Sequence, residues 1–126
     1  MKKIIYYAHG VHLYGSLQEQ RDVNSLEDLG FEVVNPNSQE VKMELELWKQ
    51  NNPDSNYMEY FTSLVDKCDA VAFRPLIDGS ITSRVVTEVQ HAIKNSMPII
   101  ELPNLDSRRF LSLDDTRLML QYLGQR

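Results

Sequence analysis

The residue best placed for chemistry in this sequence is Glu88. It lies in the segment Cys68 to Ala92, where a short apolar run is followed by a polar loop and then by an apolar helical pattern. At about 100° per residue, Glu88 falls about 40° from Ala92, at the edge of the apolar arc and not on the polar face. A carboxylate at that edge should be partly desolvated, and it is placed to act on a ligand above the end of the preceding strand.

The loop before this helix carries further polar candidates. Asp78 precedes a glycine, so it either acts as the acid that assists a leaving group or forms an ordinary Asp-Gly turn. Gly79, Ser80 and Ser83 could contact a ligand through backbone and hydroxyl groups. Arg84 falls in the first helical turn, where it could bind a 5′-phosphate or pair with a nearby acid. The loop therefore predicts a polar site next to Glu88.

A second candidate loop follows the first apolar run of the chain. It reads GVHLYGS and has the glycine spacing of a phosphate-binding loop, but it lacks the lysine that would contact the outer phosphates. A glycine-hinged turn that leads into a helix is the ordinary interpretation. His9, Gly10 and Tyr14 are the residues of this turn that we expect near a ligand. Tyr6 and Tyr7 precede it and should face opposite sides of the sheet.

Apolar patterns predict strands and helices that alternate along the chain. Strands are predicted at Lys3–Ala8, Phe31–Asn35, Asp69–Phe73 and Met97–Leu102, with a short fifth at Arg109–Leu113. Helices are predicted at Ser16–Leu29, within Ser38–Asn56, at Tyr57–Lys67, at Ser83–Asn95 and after Ser112. Trp48 either stacks on a ligand as part of a lid or packs its helix against the body of the protein.

This alternation predicts the α/β class, as a three-layer α/β/α sandwich with a parallel sheet of four or five strands. We expect the flavodoxin-like strand order 2-1-3-4-5. Ligands bind at the carboxyl ends of such strands, beside the point where the chain changes direction. That point lies between the first and third strands, so the loops His9–Gly15 and Arg74–Thr82 should form the site.

Composition limits the kinds of partner. The 126 residues fit one domain over 1–126, and the net charge of −5 disfavours nucleic acid and anionic membranes. We therefore expect a small molecule. The lone cysteine, Cys68, fits the reducing cytoplasm, and no apolar run suits a signal peptide or a membrane span.

Several chemistries lack their motifs in this sequence. No Cys/His group has metal-ligand spacing, no acidic pair follows the first strand, and neither G-x-G-x-x-G nor G-x-S-x-G occurs. A carboxylate that acts on a small polar ligand remains. Cleavage of an N-glycosidic bond suits it, because a carboxylate can stabilise or trap an oxocarbenium-like C1′ without metal or cofactor. Asp78 would then assist the leaving base, with His9 or Tyr14 as reserves.

Four segments, YYAHG, VVNP, CDAVAF…DGSITSRVVTEVQHA and MPII, resemble the nucleoside 2-deoxyribosyltransferase superfamily over roughly residues 3 to 102. That superfamily includes deoxynucleoside monophosphate N-glycosidases. The resemblance implies that Glu88 is the nucleophile of a glycosyl-enzyme intermediate and that Ser83 matches the serine of the family. It also implies a homodimer or larger assembly, for which Tyr57–Val65 and Leu118–Leu123 are the apolar faces to consider.

The sequence departs from the family pattern at positions that border the sugar or phosphate. His9 replaces a turn glycine, Arg84 replaces a small residue and Gln90 replaces a helix glycine. We expect N-glycosidic bond cleavage or transfer on a (deoxy)nucleoside or its 5′-monophosphate. The alternative is a binding module that holds a nucleotide or nucleotide-derived signal in the same cleft without turning it over.

Overall fold

The fold alternates strands and helices as the sequence predicts. The computed structural model describes residues 2–76 and 78–102. The strands are β1 (Ile4–Ala8), β2 (Glu32–Val34), β3 (Ala70–Phe73) and β4 (Ile99–Glu101). The helices are α1 (Leu17–Asp28), α2 (Gln39–Asn51), α3 (Met58–Asp66) and α4 (Ser83–Lys94), and a 3₁₀ turn spans Val11–Leu13. The predicted fifth strand at Arg109–Leu113 and the helix after Ser112 lie outside the described residues.

The four strands form one parallel sheet in the order β2-β1-β3-β4. Ile5 of β1 lies opposite Val33 of β2 on one side and Ala70 of β3 on the other. The chain therefore builds outward from β1 in both directions, and the direction changes between β1 and β3. Asp69, just before β3, is held next to the start of β1, because its carboxylate accepts a hydrogen bond of 2.8 Å from the Ile4 amide.

Helices cover both faces of the sheet, which is consistent with a three-layer sandwich. Tyr6 belongs to the apolar cluster on the side of α3 and α4, whereas Tyr7 belongs to the cluster that contains Leu26 of α1. Both tyrosines are fully buried. The predicted alternation of the two rings across β1 is confirmed, and it divides the polar chemistry of the protein between two faces.

The apolar face of α3 is used inside the protomer. Tyr60, Phe61, Leu64 and Val65 are buried in the cluster that also holds Val85 and Val89 of α4. Most of the face Tyr57–Val65 that we expected between subunits thus packs inside the protomer, whereas Tyr57 is 47% exposed, and the contact between subunits stays a prediction. Leu118–Leu123 lies outside the described residues.

Trp48 supports the same face of the sheet. Its ring centre lies 6.0 Å from that of Tyr60, and it packs on the cluster together with Leu45 and the buried Val41. These three residues recur along one side of α2 at helical spacing. Of its two interpretations, packing of the helix against the body of the protein is the one that the structure supports.

Candidate functional site

Glu88 is more deeply buried than the sequence predicts. It has no exposed surface, and it lies between the buried Val85 and Val89 of α4. The Tyr6 hydroxyl donates a short hydrogen bond to Oε2 of Glu88. Among the buried side-chain nitrogen and oxygen atoms of the described residues, Oε1 of Glu88 is the one without a hydrogen-bond partner. The carboxyl group is thus held at one oxygen, and the other oxygen is buried without a partner among the described residues.

Burial dominates the acid–base chemistry of this pair. It raises the pKa of Glu88 to about 7, although the Tyr6 hydrogen bond and the nearby Arg84 charge oppose the rise. Burial, together with the charge of Glu88, also raises the pKa of Tyr6. Tyr6 therefore keeps its proton, and Glu88 divides between its acid and its carboxylate form near neutral pH.

Arg84 and Tyr14 lie next to Glu88. The Arg84 Nη2 atom donates to the His9 carbonyl oxygen at 2.8 Å and to the Tyr14 hydroxyl at 2.7 Å. The Arg84 guanidinium carbon also lies 5.1 Å from the centre of the Phe61 ring. Among the described residues no ion pair includes Arg84. Its positive charge is therefore held by neutral acceptors and aromatic rings.

The side chain of His9 is fully buried, so it belongs to the framework of the site. Its ring stacks on Tyr7 at 3.9 Å, and Nδ1 lies 3.0 Å from the Tyr7 carbonyl oxygen. Since a carbonyl can only accept, Nδ1 carries a proton, and a second proton lies between Nε2 and Glu19 at 2.7 Å. Burial alone would raise the pKa of Glu19, but hydrogen bonds from His9 and Asn37 outweigh it and lower that pKa.

A larger residue at Gly10, the next residue after His9, would require the exposed His12 side chain to shift. A Cβ at this position would lie 2.5 Å from the His12 ring. Its backbone is extended and begins the 3₁₀ turn, with the Leu13 amide donating to the Gly10 carbonyl at 3.0 Å. The predicted glycine turn is present.

A second buried carboxylate, Asp22, lies on the opposite face. It accepts hydrogen bonds from the Tyr7 hydroxyl at 2.5 Å, from Gln18 at 2.9 Å, and from Arg74 through Nε at 3.0 Å and Nη2 at 2.5 Å. Only 3% of Asp22 is exposed. The hydrogen bond with Asp22 raises the pKa of Arg74, so the guanidinium keeps its positive charge. This carboxylate is fully engaged, unlike that of Glu88.

The residues of the loop before α4 mostly contact one another. Asp78 is exposed, and its carboxylate accepts from the Ser80 amide at 2.9 Å and from the Ser80 hydroxyl at 2.6 Å. These hydrogen bonds lower the pKa of Asp78. Gly79 has a φ of +88°, a conformation that favours glycine. Asp78 is thus held as the acid of an Asp-Gly turn, and its hydrogen bonds do not include Glu88.

Ser83 is exposed at the first position of α4, and its carbonyl accepts from the Thr87 hydroxyl at 3.0 Å. Thr82, which precedes the helix, makes no capping hydrogen bond through its side chain. The first turn of α4 therefore presents backbone amides without a side-chain cap.

A cavity of about 720 Å³ opens between the two loops that the strand order predicts. It is lined by His12, Leu13, Gln18, Arg74, Pro75, Leu76, Asp78, Gly79, Glu101 and Leu102. Glu88 is not among these described lining residues. The cavity lies at the expected end of the sheet, but the structure does not join it to the candidate nucleophile.

Comparison of this chain with family models, curated proteins and solved structures found no match. In the described residues no helix is long and apolar enough to cross a membrane. The same part of the chain contains no cluster of three His, Cys, Asp or Glu residues that could hold a metal ion.

The two acids of α1 are functional candidates that sequence reasoning missed. The apolar Leu17 and Leu29, near the two ends of α1, are 65% and 51% exposed. Glu19 and Asp22 are buried instead, near Leu26. At about 100° per residue both acids lie within about 40° of Leu26, so acids on the apolar face of the helix were the available signal.

Proposed function

We propose that this protein cleaves or transfers the N-glycosidic bond of a (deoxy)nucleoside or its 5′-monophosphate, with Glu88 as the nucleophile. The observation that carries the proposal is the buried Glu88 carboxyl group. One of its oxygens is held by Tyr6 and the other lacks a partner among the described residues. A desolvated carboxylate with one oriented oxygen is suited to attack an anomeric carbon.

The reaction balances in two displacements. In the first, ionised Glu88 attacks C1′, the C1′–N bond breaks, and the electron pair leaves with the base, which takes up a proton. In the second, water or another base attacks C1′ and gives up a proton, which offsets the proton taken up by the leaving base, and the ester bond to Glu88 breaks to regenerate the carboxylate. Burial raises the pKa of the Tyr14 hydroxyl. Tyr14 therefore keeps its proton and can donate a hydrogen bond to the leaving base.

Arg84 favours a nucleotide over a nucleoside. Its guanidinium now contacts two neutral oxygens, those of His9 and Tyr14, close to the uncapped start of α4. A 5′-phosphate would offer it a charged, bidentate partner in their place.

A nucleotide-binding module without turnover is the second candidate. The observation that favours it is that the candidate nucleophile does not line the cavity. Glu88 is buried beside Arg84 and Tyr14, and the cavity between the loops is lined by other residues. In that function Glu88 is a neutral, buried acid that supports the binding site.

The decisive assay measures free base released from a panel of deoxynucleosides and their 5′-monophosphates. Glu88→Gln should lower the rate by at least about a thousandfold while the protein stays folded, because the amide cannot act as a nucleophile. Glu59→Gln is the matched control, since Glu59 is exposed on α3. Binding without base release, unchanged by Glu88→Gln, favours the binding module. If the protein neither binds any compound of the panel nor releases base from it, both the enzyme and the binding module are contradicted.

Three further expectations from the sequence stay predictions. They are the five-strand order 2-1-3-4-5, a homodimer or larger assembly, and a cytoplasmic location. Light scattering at micromolar concentration tests the second, and a monomer there would contradict it.

A further inference from the structure

Glu19 of α1 holds both ends of the loop between β1 and α1. Its Oε2 atom lies 2.7 Å from Nε2 of the buried His9, which begins the loop, and its Oε1 atom accepts from the Gly15 amide at 3.1 Å. Asn37, from the loop after β2, donates to the same two oxygens at 3.1 and 3.2 Å. Only 8% of Glu19 is exposed. One buried carboxylate therefore fixes where this loop begins and where it ends.

Helix capping does not account for these contacts. A glutamate three positions after a serine N-cap usually accepts from the backbone amide of that serine. Here the Ser16 amide donates to the Leu13 carbonyl oxygen at 3.0 Å instead, and Ser16 contributes to the cap by accepting from the Glu19 amide at 3.1 Å. The carboxylate of Glu19 thus bonds beyond the cap, to the loop itself.

The same loop supplies both acceptors of Arg84. They are the His9 carbonyl oxygen at 2.8 Å and the Tyr14 hydroxyl at 2.7 Å. His9 is the residue whose ring contacts Glu19, and Tyr14 directly precedes Gly15, whose amide donates to Glu19. The position of the Arg84 guanidinium therefore depends on the part of the loop that Glu19 holds.

Arg84 connects this loop to Glu88. It lies four positions before Glu88 on α4, so the two side chains share a face of the helix one turn apart. Besides burial, the groups that act on the pKa of Glu88 are Tyr6 of β1 and Arg84, and the positive charge of Arg84 lowers that pKa. A displaced Arg84 side chain would therefore change the acid–base behaviour of Glu88.

We propose that Glu19 is a positioning residue of the Glu88 site. It holds the loop His9–Gly15 in the conformation whose carbonyl and hydroxyl acceptors keep the Arg84 guanidinium one turn from the Glu88 carboxyl group. Among the described residues Glu19 shares no hydrogen bond with Glu88, so it acts through Arg84. The role of Glu19 in catalysis rests on the proposed function, whereas its effect on Glu88 does not require turnover.

The pKa of Glu88 tests this proposal because two effects change it in opposite directions. Removal of the negative charge of Glu19 by itself would lower that pKa, whereas displacement of the positive charge of Arg84 would raise it. Carbon-13 NMR titration of the side-chain carboxyl groups measures it, and the signal that Glu88→Gln lacks identifies Glu88. Glu19→Ala should move the titration midpoint of Glu88 upward by at least about 0.5 pH unit.

Matched variants separate position from charge. Glu19→Gln loses the same charge but keeps an oxygen that can accept from the Gly15 amide, so it should raise the midpoint less than Glu19→Ala does. Glu19→Asp keeps the charge, but it is one methylene shorter and cannot contact His9 and Gly15 together. It should also raise the midpoint, and it tests the proposal if Glu19→Ala does not fold. Glu27→Gln, at an exposed acid of α1, should leave the midpoint unchanged.

A double variant tests whether the effect passes through Arg84. Arg84→Met should raise the midpoint of Glu88, and Glu19→Ala added to Arg84→Met should raise it no further. A further rise in the double variant would overturn the proposal. No rise in Glu19→Asp, or in a folded Glu19→Ala, would overturn it as well. The titration needs no substrate, so failure of this proposal is distinguished from failure of the proposed function, which the base-release assay tests.

Discussion

At the residue scale, two buried carboxyl groups differ in how they are satisfied. Asp22 accepts hydrogen bonds from three side chains and is neutralised by Arg74. Among the described residues, Glu88 accepts a side-chain hydrogen bond from Tyr6 alone and forms no ion pair. A buried acid without a compensating cation costs stability in its ionised form. The Glu88 site is thus the one that the fold maintains at a cost, as functional sites often are.

The stability of the protein should depend on pH through Glu88. Its pKa of about 7 in the folded state lies above its usual value of 4.5, so the folded state binds the proton more tightly than the unfolded chain does. The contribution of Glu88 is fully present below about pH 4.5 and is lost as the pH rises through about 7. Over that range it amounts to roughly 3 kcal/mol.

Glu88→Gln isolates this effect because the amide stays neutral. The free energy of unfolding of Glu88→Gln relative to the native protein should rise by about 2 kcal/mol between pH 5 and pH 8. Urea unfolding at several pH values measures it. Glu59→Gln is the control at an exposed acid, and a difference for Glu88→Gln that does not change with pH would mean that Glu88 is already ionised in the folded state.

At the element scale, one of the three longest helices in the described residues begins without the side-chain cap that the other two have. Ser16 accepts a hydrogen bond of 3.1 Å from the Glu19 amide at the start of α1, and Ser38 accepts one of 3.3 Å from the Val41 amide at the start of α2. Thr82 precedes α4 without a side-chain hydrogen bond to it. The helix that carries Glu88 and Arg84 is therefore the one among these whose first amides lack a cap, which suits a ligand oxygen.

Alanine substitutions should reveal this difference. Ser16→Ala should lower the free energy of unfolding by about 1 kcal/mol, the usual value of a serine cap. Thr82→Ala, which removes no capping bond, should cost less than about half of that. Thermal and urea unfolding of both variants give the comparison, and a larger loss for Thr82→Ala would mean that its hydroxyl does cap α4 in solution.

At the scale of the whole molecule, the Asp22–Arg74 pair joins α1 to the end of β3 across 52 residues of sequence. The carboxylate is 4% exposed and the guanidinium 17%. Pairs buried to this extent contribute little net stability, but removal of one partner leaves an uncompensated charge. The pair therefore fixes where the β3 loop leaves the sheet, and with it the shape of the cavity.

Arg74→Met should lower the free energy of unfolding by about 3 kcal/mol, because Asp22 is left buried and charged. Asp22→Asn in that background should restore part of the loss, since it removes the charge and still accepts from Tyr7. Lys49→Met breaks the exposed Lys49–Glu46 pair and should change stability by less than about 0.5 kcal/mol. If the double variant is no more stable than Arg74→Met, buried charge is not the cause.

Local patterns in the sequence were enough to predict the elements and the parallel sheet. Apolar periodicity predicts α4 and its bounds within one residue at the C-terminal end, and alternation along β1 predicts the opposite faces of Tyr6 and Tyr7. The reason is physical: a helix or a strand orients its side chains by a repeat that depends only on neighbours in the chain.

Only the tertiary structure decided which polar groups meet. Glu88 meets Tyr6 across 82 residues, whereas Asp78, only ten positions before Glu88, bonds within its own turn. Glu19 and Asp22 are buried because His9 and Arg74, from other elements, bring their hydrogen bonds to them. Local periodicity can place an acid on the inner face of a helix, but its partner depends on how loops and layers pack in three dimensions.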